Sequence, residues 1–190
     1  MAYTLEAKIN LINNQILNIK SKNPIEIVES FMDQDFINIH GPEHHYLDGA
    51  SFLVAYVNAG GKLKLDNALD ELKARTLQMP GAMCGKWGVC GSAASIGACL
   101  SIINGTTPLS DNEFYKDNMR YTSSVITKMS MIGGPRCCKR NAFISIIRGI
   151  EFVAEKYGII MDQPTTHKCK YSNYNMQCIK QRCPFYNQYN

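Results

Sequence analysis

Apolar residues that recur every three or four positions constrain this chain more than any other feature. Leu5, Ile9, Ile12, Ile16 and Ile19 form one such stripe, the period of a helix with a single buried face. Pro24 opens a second segment with Ile25, Val28 and Phe31 on a common side, since proline is well tolerated in a first helical turn. A third begins at Gly41-Pro42, carries Leu47, Phe52, Leu53, Tyr56 and Val57, and stops at Gly60-Gly61. Leu65, Leu69 and Leu72 mark a fourth that closes before Pro80. From Cys90 to Ile103 the residues are small and apolar, which suits a buried, closely packed helix ending at Asn104-Gly105. Ser110-Asp111 is placed to cap a helix reaching Met131. Gly134-Pro135 is placed to open the last long helix, with Phe143, Ile146, Ile147, Ile150 and Val153 inward and Gly158 as its stop. No alternating strand pattern or hairpin turn interrupts the series. The sequence therefore predicts an all-α fold: a compact helical body over residues 1–158, with an irregular cysteine-rich arm over residues 159–190 packed on the same domain.

The chain has 190 residues, 45% of them apolar and 19% charged, the balance of one soluble globular domain. That excludes a disordered or collagen-like chain. The longest mostly apolar run, Ala93 to Ile103, is broken by Ser95, Gly97 and Ser101 and falls short of the roughly 18–20 residues of a membrane span. The opening Met-Ala-Tyr-Thr-Leu-Glu shows no basic region or apolar run, so a cytoplasmic protein without a signal peptide is expected. Charge is unevenly spread: residues 1–127 sum to −3 and residues 128–190 to +7. Such a basic third fits a solvated surface, an anionic ligand or, with its interleaved tyrosines, RNA.

Eight cysteines narrow the chemistry: Cys84, Cys90, Cys99, Cys137, Cys138, Cys169, Cys178 and Cys183. In a reducing cytosol they read as thiolate ligands or reactive groups rather than disulfides. Cys99 lies in an apolar helical pattern and is expected as a packed core thiol. Cys169, Cys178 and Cys183 fall within 15 residues that are poor in aliphatic side chains, and Pro184 follows directly. A metal or iron–sulfur cluster would order such a segment, because ligation can replace a missing core. Packing of Tyr171, Tyr174, Phe185 and Tyr186 against the body is the alternative.

Three further blocks carry reactive side chains. In Gly133-Gly134-Pro135-Arg136-Cys137-Cys138-Lys139-Arg140, a helix opening at the proline would put both cysteines in its first turn, where the dipole and the basic neighbours favour thiolate. One could ligate a metal while the other acts as nucleophile or packs. Met83 to Ser92 is glycine-rich and would place Cys90 at a helix start. In His40-Gly41-Pro42-Glu43-His44-His45, three histidines crowd beside a carboxylate, suited to acid–base work or ligation near neutral pH. If these helix starts converge, they make a positively polarised pocket lined by thiols and imidazoles.

Together the His40–His45 block, Cys90-Gly91, Gly133–Arg140 and Cys178–Phe185 resemble an uncharacterised domain family of unknown function. That family occurs alone and fused to S-adenosylmethionine-dependent methyltransferases, mainly in anaerobic bacteria and methanogenic archaea. The resemblance implies a methyltransferase as a partner and an anaerobic cytoplasm, but no established activity. No strand followed by a glycine-rich nucleotide loop is present, so methyl transfer by this chain alone is not expected.

The expectation is an oxygen-sensitive iron–sulfur protein, of 4Fe-4S type, catalysing sulfur transfer, desulfuration or a lyase step through an open cluster iron. Cys90, Cys138, Cys169, Cys178 and Cys183 are the expected ligands. Glu43, His44, His45 and Cys137 are the expected catalytic groups. His40, Arg136, Lys139 and Arg140 would bind a small anionic or sulfur-containing ligand. The alternatives are a zinc-stabilised, non-catalytic module that binds a methyltransferase, and an RNA-binding module.

Overall fold

Thr4 turns the chain into its first helix, its hydroxyl accepting the Ala7 amide at 3.2 Å. The computed structural model describes residues 3–188. Among them it contains α1 (Leu5–Ile16), α2 (Pro24–Met32), α3 (Glu43–Asn58), α4 (Leu65–Thr76), the single turn α5 (Met83–Lys86), α6 (Gly91–Asn104), α7 (Glu113–Ile132) and α8 (Cys138–Tyr157). No strand occurs among the described residues, so the all-α expectation holds. No described helix is long and apolar enough to cross a membrane.

α3 is the axis of the body. Every residue from Glu43 to Tyr56 is buried, and the helix packs against α1, α2, α4, α6 and α8. A helix enclosed on all sides has no polar face to spare, so its polar residues, Glu43, His44, His45, Asp48 and Ser51, enter the core as well. α6 lies against it through small residues. A side chain at Gly49 would strike Ser95 and Cys99 of α6, and one at Gly149 of α8 would strike Phe52 and Ile96. The small-residue segment is therefore the close-packed helix that its composition predicts. Cys99 is fully buried and its Sγ donates to the Gly49 carbonyl at 3.4 Å, as a core thiol.

Two helix starts differ from expectation. α7 begins at Glu113, because Asn112 is the residue that caps it, accepting the Phe114 amide at 3.1 Å. The Ser110 hydroxyl is engaged instead in the preceding turn, where it accepts the Thr107 amide at 2.9 Å. α8 begins at Cys138 rather than at Pro135. The buried Arg140 guanidinium donates to the carbonyls of Gly133 and Pro135, both at 3.1 Å, and holds that segment as a loop. Cys137 then serves as the extended N-cap, its sulfur accepting the Arg140 amide. The far end of α8 stops at Gly158, whose left-handed conformation (φ 66°) suits glycine.

Beyond Gly158 the described residues run back over the body without regular structure, apart from short 3-10 turns at 172–174 and 180–182. Its anchors are polar and aromatic. The Asp162 amide donates to the Lys22 carbonyl at 3.0 Å. His167 meets Phe143 edge-on with centroids 4.1 Å apart, and Phe185 joins the same group. Tyr171 is buried and donates to Asp33 at 3.0 Å, beside a 2.6 Å Lys170–Asp33 ion pair. Of the aromatic side chains expected to anchor this segment, Tyr174 is instead exposed.

Candidate functional site

The loop that ends at the Cys137 cap and the returning arm bring four sulfurs to one place. Cys137, Cys169, Cys178 and Cys183 line a single narrow cavity of about 20 Å³, with Tyr171 and Phe185 among its walls. Each sulfur accepts a backbone amide. Cys137 receives Arg140 N–H at 3.4 Å, Cys169 receives Tyr171 N–H at 3.4 Å and Cys178 receives Lys180 N–H at 3.4 Å; the Phe185 amide acts on Cys183 in the same way. Three of the four repeat one step, a sulfur facing the amide two residues on. Lys180, whose amide faces Cys178, adopts a left-handed conformation (φ 49°), which is unfavourable for a side chain other than glycine.

Burial pushes the Cys169 thiol up to about 11, the neighbouring sulfurs adding to the shift and the Tyr171 amide opposing it. Cys137 and Cys183 are likewise raised, chiefly by burial. Four thiolates packed together without a cation would repel one another. Among the described residues, no three His, Cys, Asp or Glu side chains converge closely enough to hold a single metal ion.

Cys137 is also a wall of a second, wider cavity of about 280 Å³. Here the expected convergence of helix starts takes shape. Gly41 and Pro42 lead into α3, Cys90, Gly91 and Ser92 begin α6, and Cys137 and Cys138 begin α8, all lining the same space. His40, His44, His45, Cys84 and Arg136 complete the parts that bear chemistry. Gly91 is required by packing, because the His45 ring occupies the place a side chain would take. A third cavity of about 340 Å³ adjoins it and shares Cys84, Cys90, Arg136 and Asn141.

The expected site residues are distributed between these places. Cys169, Cys178 and Cys183 form the sulfur ring together with Cys137, whereas Cys90 and Cys138 face the wider cavity. Cys90 accepts the Asn141 side-chain amide at 3.3 Å. Burial raises both thiols, Cys138 to about 12. His40 bridges the two sites: its Nδ1 accepts the Cys138 amide at 3.5 Å, so Nε2 is the donor to Asn175 Oδ1 at 3.1 Å. Asn175 in turn donates through Nδ2 to Cys137 at 3.5 Å.

His44, His45 and Lys139 are buried. Burial lowers the His45 ring below the usual imidazole range. Lys139 Nζ lies 3.2 Å from the Asn38 carbonyl and 3.4 Å from His44 Nε2, 5.0 Å over the Tyr171 ring. Burial draws its ammonium down to about 8. Glu43 is 1% exposed and does not line the cavity. It pairs with Lys8 at 3.0 Å and accepts the Asn38 amide at 2.9 Å. Arg140 is spent on its loop carbonyls and on Asn141 Oδ1. Arg136 is exposed at the rim of the cavity.

Sequence reasoning missed Asp48 and Asn175. Asp48 is fully buried, with Oδ1 3.7 Å from His44 Nδ1 and neither carboxylate oxygen hydrogen-bonded. Its signal was an acid four residues after His44 inside an otherwise apolar helix. Nothing in the arm marked Asn175 out from its polar neighbours.

Fold and site thus define an all-α domain that gathers a ring of four cysteines beside a histidine- and thiol-lined cavity. The chain belongs to a family of unknown function, DUF5714, whose model matches residues 12–186. No curated protein and no solved structure matches it.

Proposed function

We propose that this is an iron–sulfur protein whose cluster, of the four-iron type, is held by Cys137, Cys169, Cys178 and Cys183. The observation that supports this reading is the shared setting of the four sulfurs: one narrow cavity, with a backbone amide directed at each. Amide hydrogen bonds favour thiolate over thiol and are among the levers that set a cluster's potential. Burial of Cys137, Cys169 and Cys183 and their mutual repulsion oppose thiolates here, and a cationic iron core would offset both.

Spacing favours a cluster over one ion. Among the described residues no three ligating side chains converge closely enough for one ion, whose thiolates would sit at about 2.3 Å from it. A multi-iron core spreads its thiolates further apart than a single ion does. Four protein thiolates also close the cluster, so an open iron acting as Lewis acid gives way to an electron-transfer or structural role. Sulfur transfer, desulfuration or a lyase step then belongs to the adjoining cavity, which shares the Cys137 wall. On this reading the protein works in the cytoplasm of an anaerobe, alongside a methyltransferase.

Cysteine variants made and purified without oxygen test the ligand set. Serine at Cys137, Cys169, Cys178 or Cys183 is expected to abolish iron and sulfide, while Cys90→Ser and Cys138→Ser retain them. Full iron in the Cys137→Ser protein with loss in Cys138→Ser would overturn it. Stoichiometric zinc without sulfide would support the zinc-pinned module instead.

A further inference from the structure

The surface around the sulfur ring carries charge of one sign. Each ring cysteine has an exposed cation within two residues: Arg136 before Cys137, Lys168 before Cys169, Lys180 after Cys178 and Arg182 before Cys183. Residues 163–190 contain no aspartate or glutamate. The fold gathers these cations as well. Lys168 and Cys183 line one surface depression, the Lys180 amide faces Cys178, and Arg182 reaches the Gly134 carbonyl at 3.5 Å, two residues from Arg136. Among the described residues none of the four forms an ion pair, whereas the neighbouring Lys170 is held by Asp33 at 2.6 Å.

Two features set this patch apart from an ordinary solvated face. It surrounds cysteines that are all half-buried and so reach the surface. Between Cys169 and Cys178 the arm also holds Tyr174 and Met176 out to solvent, on either side of the Asn175 that donates to Cys137. Apolar contacts inside a polar rim are the anatomy of a protein interface. The ring's own charge is met from within by Lys139 and Arg140, which line it and are buried. Exposed cations are screened by water and salt, so they act less on the ring than on whatever approaches it.

We infer that this face is the docking surface of an acidic electron-carrier protein, whose carboxylates pair with Arg136, Lys168, Lys180 and Arg182 while its redox group comes up against the ring. The inference rests on the cluster reading. One electron passes from carrier to cluster, the carrier is oxidised by one and the cluster reduced by one, and no bond is made or broken. Such encounters use small interfaces, under about 1,200 Å², and draw their rate from complementary charge. RNA is the less suited anion. Single strands need aromatic platforms for successive bases, and Tyr174 is the one exposed aromatic among the described residues of the arm.

The probe is a bacterial flavodoxin, a small acidic flavoprotein, in its hydroquinone form. Mixed with the whole, anaerobically purified protein, it should bleach the cluster absorbance in a stopped-flow spectrometer. The second-order rate should fall at least tenfold between low salt and about 0.5 M salt, within the range that electrostatic steering spans. Lys168→Glu/Lys180→Glu should lower the low-salt rate about tenfold and leave iron, sulfide and helical circular dichroism as in wild type. Reduced methyl viologen, a cationic donor, should respond in the opposite sense and react faster with the variant. A shift in cluster potential or a loosened fold moves both donors the same way. Rates indifferent to salt and to charge reversal, or both donors slowed alike, would overturn the inference. So would a transfer RNA bound with a submicromolar Kd at about 0.15 M salt, tighter than non-specific binding reaches, and released by the same variant.

Protein that lacks iron refutes the cluster reading, and docking is then read without it, by chemical-shift changes in isotope-labelled oxidised flavodoxin. Salt-sensitive shifts that the variant abolishes support the surface; no shifts at low salt overturn it.

Discussion

Replacing Glu43 by alanine would strand a buried charge. Lys8 is 8% exposed and its ammonium lies 3.0 Å from the Glu43 carboxylate, itself 1% exposed. The Asn38 amide donates to the same oxygen at 2.9 Å, so truncation leaves one cation and one amide without their acceptor. Removing one partner of a buried ion pair costs about 3–5 kcal/mol. With a urea m-value of about 2 kcal/mol/M, the unfolding midpoint should fall by about 2 M, read by circular dichroism at neutral pH. The double variant Lys8→Met/Glu43→Leu removes both charges and refills the space, and should recover most of the loss. The same structure assigns Glu43 to scaffolding, because it does not line the cavity it was expected to serve. A Glu43→Ala protein within about 0.5 kcal/mol of wild type, the scatter of ordinary surface changes, would refute this reasoning. So would a double variant no more stable than the single one.

Other outcomes follow from the same geometry. Burial alone would raise Glu43, but the amide bonds and Lys8 pull it below its ordinary value near 4.5; its contribution to stability is thus present above about pH 4.5 and lost as pH falls through the lower folded value, a component that Glu43→Gln should remove from an acid titration of stability. His45 is lowered from an ordinary 6.5 by burial, so the unfolded chain takes up a proton that the folded ring resists, and acidification below about pH 6.5 should cost stability that a His45→Gln protein does not lose. Gly149→Ala should destabilise by about 1–3 kcal/mol, the usual cost of overpacking, because the new methyl meets Phe52 and Ile96; a neutral result in urea unfolding would contradict the tight α3–α6–α8 contact. Asn175→Leu removes the donor to Cys137 and should lower the reduction potential of a bound cluster while leaving its iron content intact, as measured by redox titration with visible spectroscopy.

Periodicity made most of the fold legible. The segments around Leu5–Ile16, Pro24–Met32, Leu65–Thr76 and Gly91–Asn104 follow the apolar spacing closely, because each buries a face or, for α6, is small enough to be enclosed. The misplaced starts of α7 and α8 share a cause. Several residues near each could cap, and tertiary hydrogen bonds choose among them: Thr107 occupies Ser110, and Arg140 holds the loop before Cys137. The shared pattern of reactive side chains at the helix starts Gly41-Pro42, Cys90 and Cys137-Cys138 also made their convergence a reasonable conjecture. It could not decide between two adjacent cysteines. Only the position of the returning arm turns Cys137 toward Cys169, Cys178 and Cys183 while Cys138 faces His40 and His45. Glu43 and Arg140 looked like reactive groups beside histidines and thiols, but their partners, Lys8 and the Gly133–Pro135 loop, lie where local pattern gives no sign of them.

Iron, zinc and acid-labile sulfide, determined on protein purified without oxygen together with its visible spectrum before and after air, test the account most directly. The account expects about four iron and four sulfide per chain and a brown absorbance that bleaches in air, as for a cluster on four cysteines. Protein without iron or sulfide, with its cysteines intact and its helical fold confirmed by circular dichroism, would contradict it.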